Sequence, residues 1–220
     1  MSVRGSTSRA ETALERSSRR RYRSPLREQR AEQTRAMVLD AASRLFTSRG
    51  WATTGIRDIA REAGVAAETV YAHYASKTAL LRQVVDIAVV GDDDALPLAQ
   101  RPEFTALRVG SRSERIVAAA RLITEVHMRT AGFAKVIREA AHTDEAMAQE
   151  LASTRQRHRI DVERALKLLI GRNPTAVELD GIVAVVSVEV YLLLTEFSGW
   201  SAAQYQAWMA ETLEHILPGS

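Results

Sequence analysis

The stretch IRDIAREAGVAAETVYAHYASK, residues 56–77, decides how the N-terminal part of this chain folds. On both sides of Gly64 the apolar residues recur at helical spacing, which predicts two short helices joined by a turn. Gly64 can adopt the left-handed backbone of that turn at no steric cost. Ala60 is small where the helices cross, and Val65 and Val70 are expected to face inward. The pattern predicts a helix-turn-helix, which either serves DNA binding or is a plain helical hairpin.

The residues around this stretch predict one helix before it and one after it. The earlier helix is expected to begin near Glu32 and to end at Gly50, because glycine is common just past a C-terminus. Thr54 has the hydroxyl expected of an N-cap for the second helix, and Ser76 is expected to cap the fourth. Inward-facing residues are predicted at Val38, Ala42, Leu45, Phe46, Leu80, Leu81, Val84 and Ile87.

The remainder of the chain reads as helical after a break at residues 91–104, GDDDALPLAQRPEF, which we interpret as a hinge or loop. Helices are predicted at about 114–130, 133–141, 144–170, 175–197 and 202–217. No stretch alternates apolar and polar residues, so no sheet is expected. We therefore predict an all-α protein with a flexible Arg-rich arm over 1–30, a three-helix helix-turn-helix domain over 31–78 and a second helical domain over 79–220.

The net charge of +3 is unevenly distributed along the chain. Residues 1–30 carry nine Arg and three Glu, a balance of +6, whereas residues 91–220 sum to −4. A basic end suggests a polyanionic partner, and such an arm can lie in a DNA minor groove or along phosphates. A solvated tail explains the same charge equally well.

Several classes of function find no support in the sequence. The chain has 220 residues and no Cys, which excludes disulfides and thiolate chemistry. It has no Gly-rich phosphate loop, Gly-x-Ser-x-Gly or His-Glu-x-x-His motif, so we do not expect an enzyme or a cofactor. Asp92, Asp93 and Asp94 could hold a divalent ion or form a solvated linker, and the scattered His residues make a metal site unexpected. No apolar run reaches the roughly 18 residues of a membrane span, and we expect a cytoplasmic protein.

Two segments around the predicted turn, TGIRDIAREAGV (54–65) and TVYAHYASKTALL (69–81), carry a resemblance to a known family. In one register, residues 35–81 resemble the TetR family of bacterial transcriptional repressors. The end of the chain, around Glu189, Trp200 and Leu213, resembles family members more loosely. The resemblance implies an all-α homodimer that binds an operator in double-stranded DNA. It also implies that a small-molecule effector, bound by the second domain, releases the repressor from that operator.

The resemblance also implies which residues contact DNA. Hydroxyl, imidazole and cationic groups suit phosphate oxygens, and small side chains at the start of a recognition helix suit base edges. The expected phosphate contacts are Thr54, Arg57, Tyr71, His73 and Lys77, and the expected base contacts are Ala66, Ala67, Glu68, Thr69 and Ala72. A capping or core imidazole, a packed ring and a solvated charge are the alternatives for His73, Tyr71 and Lys77. Tyr74 is expected in the core.

Two positions depart from the family pattern. Ala66 stands where the family often has Ser, so a helix cap is missing at a cost of roughly 1 kcal/mol. Glu68 stands where the family often has Gly. Its carboxylate either reads a base or is a solvated acid favoured by the helix dipole, and the sequence leaves both open.

For the second domain, the resemblance implies an effector site and a dimer interface. The candidates for effector contacts are Arg121, Thr124, His127, Met128, Phe133, Ile137 and Tyr191, with plain core or surface positions as the alternative for each. The candidates for the interface are Val183, Val186, Val190, Leu194, Trp208 and Leu213, with an intramolecular core as the alternative. For the chain as a whole, the alternative function is a helical interaction module without sequence-specific DNA binding.

Overall fold

A computed structural model describes residues 25–92 and 98–217 of the chain. Throughout these ranges the regular structure is helical, without a strand, so the predicted all-α fold is confirmed. The α-helices are α1 Pro25–Arg49, α2 Ile56–Glu62, α3 Ala67–His73, α4 Lys77–Val90, α5 Pro102–Thr105, α6 Arg112–Ala140, α7 Glu145–Ile170, α8 Ala176–Val185, α9 Val188–Leu192 and α10 Ala202–Ile216.

The predicted arm is only partly open to comparison, because residues 1–24 lie outside the described ranges. The prediction is wrong for residues 25–30, which already form the start of α1. Proline is well tolerated at the first position of a helix, so Pro25 marks the start of α1 rather than the end of an arm. By its contacts the chain divides after Met37, and the features described below lie within Val38–Ser220.

One apolar core joins the short N-terminal helices to the hairpin formed by α6 and α7. Val38, Ala42, Leu45 and Phe46 are buried as predicted. The same cluster takes in residues from far along the chain, which the sequence patterns did not assign to it: Phe133, Ile137, Ala140 and Met147. We call this cluster the N-terminal core. Within it α2 packs against α3, and α4 packs against α6 and α7.

A second core fills the other half of the same two long helices. It includes Ile116 and Ala120 from α6, Val162 and Leu166 from α7, and Tyr205, Met209 and Leu213 from α10. Phe104, the last residue of the predicted hinge, and Leu107, shortly after it, are also buried there. The segment after residue 97 is therefore packed, with α5 between two short 3₁₀ turns, Leu98–Gln100 and Ala106–Arg108. The domain boundary predicted at residue 78 stays a prediction.

The predicted helices over 114–130 and 133–141 are wrong as two elements, because α6 is continuous through both. Gly132 lies in its interior, where a glycine costs up to about 1 kcal/mol relative to alanine. A Cβ at Gly132 would lie only 3.1 Å from Cγ2 of Thr47. The glycine therefore permits α6 to cross close to α1 and does not end the helix.

The predicted helix over 175–197 is wrong in the opposite sense, because the chain breaks within it. α8 ends at Val185, and Ser187 begins α9 by accepting a hydrogen bond from the Val190 amide. Beyond α9, residues Leu193–Phe197 form wider π-type turns, with the Ser198 amide bonded to the Leu193 carbonyl. A serine can cap a new helix even inside an apolar run, and that local bond competes with a continuous helix.

Candidate nucleic-acid interface

The turn between α2 and α3 has the geometry that the sequence predicted. Gly64 has φ of +69°, in the left-handed region. The Val65 amide donates to the Ala60 carbonyl at 2.9 Å, which closes the turn. Ala60 and Val70 are almost fully buried at the crossing. The two helices are thus held at a fixed corner, and α3 is left with one face outward.

The start of α2 differs from the prediction, because Gly55 and not Thr54 is its N-cap. The Asp58 carboxylate reaches back to the Gly55 amide at 3.1 Å, and this bond, with a second from Arg61, lowers the pKa of Asp58. Thr54 is buried, and its hydroxyl donates to the Leu45 carbonyl at 3.1 Å. In this structure the Thr54 side chain ties α1 to the turn and has no surface to offer a phosphate.

The outward face of α3 is formed by the residues predicted to contact DNA. Ala66, Glu68, Tyr71, Ala72 and His73 are exposed, and Ala67 and Thr69 are half-buried. Ala66 is the N-cap and makes no side-chain capping bond, as its missing hydroxyl requires. The face is narrow and made mainly of small side chains at its N-terminal end, so a base edge can approach it closely.

Three aromatic side chains at the end of α3 divide into one inward and two outward positions. Tyr74 is 8% exposed and belongs to the N-terminal core, as predicted. Tyr71 is 57% exposed, and His73 is exposed as well. The packed-ring alternative for Tyr71 and the core-imidazole alternative for His73 therefore do not hold in this structure.

Lys77 is turned toward the protein and is not a solvated charge. Its Nζ donates to the carbonyls of Trp51 and Thr54, at 2.8 and 3.1 Å. The same ammonium lies 3.8 Å from the centroid of the Trp51 ring, a cation–π contact. Burial lowers the pKa of Lys77. The sequence patterns did not single out Trp51, because a tryptophan after a helix-ending glycine has no local signature.

The basic side chains near α2 differ in how far they are neutralised. Arg61 pairs with Asp58, and Arg44 pairs with both Asp40 and Glu62. Arg57 is exposed on the first turn of α2, one residue after its buried first position. Of the cations on α2, Arg57 is thus the one whose position suits a phosphate best.

In the second half of the chain, the effector candidates fall into two groups. His127 and Tyr191 meet at a ring-centroid distance of 5.5 Å, and Tyr205 completes the cluster with its hydroxyl 3.0 Å from Nδ1 of His127. Thr124, one turn before His127, is buried and donates to the Ala120 carbonyl. We call His127, Tyr191 and Tyr205 the aromatic cluster.

The other effector candidates lie elsewhere. Phe133 and Ile137 belong to the N-terminal core, because this end of α6 crosses the short helices. Met128 is 57% exposed, and Arg121 is an exposed residue that pairs with Glu125 one turn away. The structure does not bring these four together with the aromatic cluster, since the period of α6 turns them to other faces.

The buried His127 of the aromatic cluster has the half-buried His158, on α7, as a neighbour. Burial lowers the pKa of His127 to about 3, and the neighbouring His158 adds repulsion while the Val186 carbonyl opposes the shift. Burial also lowers the pKa of His158, against the attraction of Asp161 and Glu189. Nε2 of His158 is buried without a hydrogen-bond partner. His158 and Tyr205 were not among the predicted effector contacts, because each is placed by packing between distant helices.

The interface candidates are also divided by the structure. Val186 and Leu213 are buried in the second core, whereas Val183, Val190, Leu194 and Trp208 are half-buried. Other apolar side chains are more exposed: Val177 at 82%, Leu193 at 56%, Phe197 at 87% and Ile216 at 43%. Trp208, Glu211, Thr212, His215 and Ile216 line a shallow groove of about 260 Å³ along α10.

Over the described part of the chain, no helix is long and apolar enough to cross a membrane. Within the same ranges, no group of three or more His, Asp or Glu side chains is arranged to hold a metal ion. Asp92, the described member of the Asp92–Asp94 run, binds the guanidinium of Arg101 through both its oxygens at 2.6 Å.

Sequence comparison places the corner in a known class of protein. Residues 38–84 match the family of bacterial regulatory proteins described as the tetR family. A segment of 56 residues is 41% identical to the transcriptional regulator TtgR of Pseudomonas putida, and 60 residues are 35% identical to AcrR of Shigella flexneri. These matches span 27% and 28% of the length of those curated relatives.

Solved structures extend the likeness to most of the chain at the level of fold. A structure from Rhodococcus sp. assigned to the TetR family has a TM-score of 0.63 at 16% identity, over 85% of this chain and all of the other. NalD of Pseudomonas aeruginosa, the secondary repressor of a multidrug efflux pump, has a TM-score of 0.52 at 18% identity, over 86% of this chain and 98% of its own.

The fold and the corner together define a helix-turn-helix protein with a second helical part. Over the 47 positions from 38 to 84 the chain matches the tetR family of bacterial regulatory proteins, so the resemblance seen in the sequence is confirmed for this region.

Proposed function

We propose that this chain is a sequence-specific, DNA-binding transcriptional regulator that places α3 in the major groove. The observation that carries the proposal is the outward face of α3, held by the turn at Gly64 and by the buried Ala60 and Val70. Helix-turn-helix proteins read bases with the N-terminal residues of their second helix. The exposed Ala66 and Glu68 and the half-buried Ala67 and Thr69 stand in that position, and the exposed Ala72 lies about one turn later on the same helix.

The phosphate contacts in this proposal fall to three exposed side chains. Tyr71 offers a hydroxyl, His73 an imidazole and Arg57 a cation, all on the surface that surrounds the base-reading face. Contacts of this kind fix the register of a protein on DNA without reading sequence. Thr54 and Lys77 act differently from the initial expectation, because both are bonded to backbone carbonyls inside the protein.

A homodimer is part of the proposal, because one short helix reads only a half-site and two-fold proteins read two. The exposed Leu193, Phe197 and Ile216, with the half-buried Trp208, form an apolar surface at the end of the chain. We assign the interface to α10 and the turns before it, and Val183, Val190 and Leu194, half-buried against the second core, stay candidates. Val186 and Leu213 act in the intramolecular core instead, since both are buried there.

We further propose that the regulator is a cytoplasmic repressor, without a bound cofactor, that a small-molecule effector releases from its operator. Two solved structures with a similar fold support this. NalD is a secondary repressor, and EbrR, at a TM-score of 0.54, is a multidrug binding protein solved with imidazole. The effector site is assigned to the aromatic cluster with Thr124 and His158. Aromatic side chains with a few buried polar groups are the usual lining of a small-molecule site.

The test is selection of bound fragments from random and genomic DNA by the purified protein at two salt concentrations. We expect a two-fold symmetric motif, and Tyr71→Phe should weaken binding to all fragments without changing that motif. Retention that is lost in high salt and yields no motif would leave only a non-specific polyanion binder. That result would favour the helical interaction module and would contradict the proposal.

A further inference from the structure

Trp51 connects the helix-turn-helix to a distant part of the chain. It lies in the turn between α1 and α2, where its ring stacks on Phe46 at a centroid distance of 5.8 Å. Its indole Nε1–H donates to Oδ2 of Asp144 at 2.9 Å. Asp144 immediately precedes α7, so one side-chain bond joins the turn before α2 to the first turn of a long helix.

Asp144 uses its two carboxylate oxygens for two different elements. Oδ1 accepts the Met147 amide at 3.2 Å and so caps α7, while Oδ2 accepts the indole of Trp51. These bonds, with that from Trp51 the larger influence, lower the pKa of Asp144. The cap fixes the carboxylate relative to the axis of α7. Any shift of that axis therefore moves the acceptor that Trp51 depends on.

Lys77 extends the connection to α4 and to the start of α2. Its ammonium holds the carbonyls of Trp51 and Thr54, and Thr54 directly precedes the Gly55 N-cap. The cluster of Trp51, Lys77 and Asp144 thus joins the starts of α2, α4 and α7. We call it the Trp51 cluster.

α7 is suited to transmit a displacement between the two cores. Its first turns contribute Met147 to the N-terminal core, whereas Val162 and Leu166 belong to the second core. Helix α7 runs uninterrupted from Glu145 to Ile170. His158, beside the aromatic cluster, lies on the same helix. A change of packing at the aromatic cluster can therefore reach Asp144 through one rigid element.

We propose that the hydrogen bond from Trp51 to Asp144 is the contact through which α7 sets the position of α2 and α3. Displacement of α7 then changes DNA affinity by releasing the turn that carries Trp51. The inference rests on the proposed function, because it explains how the second core regulates the same DNA-binding face. It assigns Trp51, Asp144 and Lys77 as positioning residues without direct contact to DNA.

Two conservative variants isolate this bond. Asp144→Asn keeps the size of the side chain and the helix cap, because asparagine is as good an N-cap as aspartate. With its oxygen on the cap, its amide NH₂ faces the indole N–H, and two donors cannot bond. Trp51→Phe keeps an aromatic ring beside Lys77 and Phe46 and removes the indole donor together with part of the ring. Asp180→Asn and Trp200→Phe are the matched controls, since Asp180 is an exposed acid on α8 and Trp200 is a half-buried indole just before α10.

The first measurement is amide hydrogen exchange of the free, full-length protein. We expect Asp144→Asn and Trp51→Phe each to speed exchange over residues 51–62 about tenfold, as loss of one charge-assisted hydrogen bond allows. The double variant should exchange no faster than either single one, because both remove the same bond. Additive effects, or exchange equal to that of the controls, would overturn the inference.

The second measurement is affinity for the DNA motif recovered by selection. Each variant should bind about tenfold more weakly with the same motif, because only the position of α3 is loosened. Faster exchange with unchanged affinity would overturn the regulatory role. If the wild-type chain selects no motif at all, the proposed function fails, and the exchange data still decide whether Asp144 and Trp51 act as one unit.

Discussion

The two cores satisfy their buried polar groups in different ways. Around the N-terminal core, Thr54, Lys77 and Trp51 bond to backbone carbonyls or to a capping carboxylate. In the second core, His127 and Tyr205 bond to each other, and Nε2 of His158 has no partner. Side chains bonded to backbone hold one geometry, whereas ring groups bonded to one another can exchange partners. We therefore expect a fixed N-terminal half and an adaptable second half.

The substitution with the largest expected effect tests whether the C-terminal end of α6 belongs to the fixed half. Phe133 is 4% exposed in the N-terminal core, so Phe133→Ala should lower the free energy of unfolding by about 3 to 5 kcal/mol. Denaturant unfolding measures the loss, and hydrogen exchange should place the faster amides in α2 and α3. Met128→Ala, at a 57% exposed site on the same helix, is the control and should change little. Faster exchange confined to α10 would contradict the division.

The adaptable half should also be the more sensitive to acid, because its imidazoles are buried neutral. The pKa of His127 is about 3 in the folded chain against 6.5 for a free imidazole, so the unfolded state binds more protons between these values. His127 therefore leaves the free energy of unfolding unaffected above pH 6.5 and lowers it by about 1.4 kcal/mol per pH unit below that value.

Unfolding by urea at a series of pH values between 7 and about 4 measures this slope. Replacing His127 by Gln should flatten it. Tyr205→Phe is the matched control, since it removes a hydrogen bond and leaves the imidazole buried, so the slope should persist. An equal slope in the His127 variant would mean that other groups account for the acid sensitivity.

The buried carboxylate of Glu150 joins α7 to α4 through Arg82, and its loss should lower the stability of the fixed half by an intermediate amount. Oε2 of Glu150 accepts from Arg82 at 2.9 Å, and Oε1 accepts from Arg157 at 2.7 Å. Burial alone would raise the pKa of Glu150, but the bonds from Arg82 and Arg157 outweigh it and lower the pKa. Glu150→Gln should cost about 2 kcal/mol at neutral pH, since both arginines also reach solvent.

Because the pKa of Glu150 is lowered in the folded chain, its contribution to the free energy of unfolding is lost in acid and not in base. It is present above the unfolded value of 4.5 and is lost as the pH falls through the lowered value in the folded chain. Thermal unfolding of the Gln variant should differ from wild type at pH 7 and converge with it in strong acid. Glu125→Gln, in an exposed pair with Arg121, should cost at most about 0.5 kcal/mol.

The same comparison explains how far the sequence could be interpreted. The corner was predictable because its markers are local: Gly64 for the turn, Val70 for the crossing and Ser76 for the cap of α4. Gly132 misled because the reason for it, close contact with Thr47, lies on another helix. Thr54 misled because a threonine beside a glycine fits a cap in either register, and burial decided between them.

The sites that depend on contacts between distant helices were predicted least completely. Trp51 and Asp144 are 93 positions apart, and no local pattern relates them. His127 and Tyr191 were named as candidates because each is a polar group within an apolar stretch. Tyr205 completes their cluster through packing of α10 on α6, which periodicity does not specify.

The smallest expected effect concerns the N-terminus of α3, which belongs to the fixed half and has no side-chain cap. Ala66 has the extended backbone of an N-cap, with φ of −72° and ψ of 148°, but makes no capping bond. Ala66→Ser supplies a hydroxyl that can accept an amide of the first turn, so it should raise the free energy of unfolding by about 1 kcal/mol. The control is Ala52→Ser, which adds a hydroxyl at an exposed position before α2. Thermal unfolding of both variants checks the gain.

If α3 is already held by the corner and the Trp51 cluster, the added cap should leave the selected DNA motif unchanged. A gain in stability with a new base preference beside residue 66 would instead show that Ala66 itself reads a base.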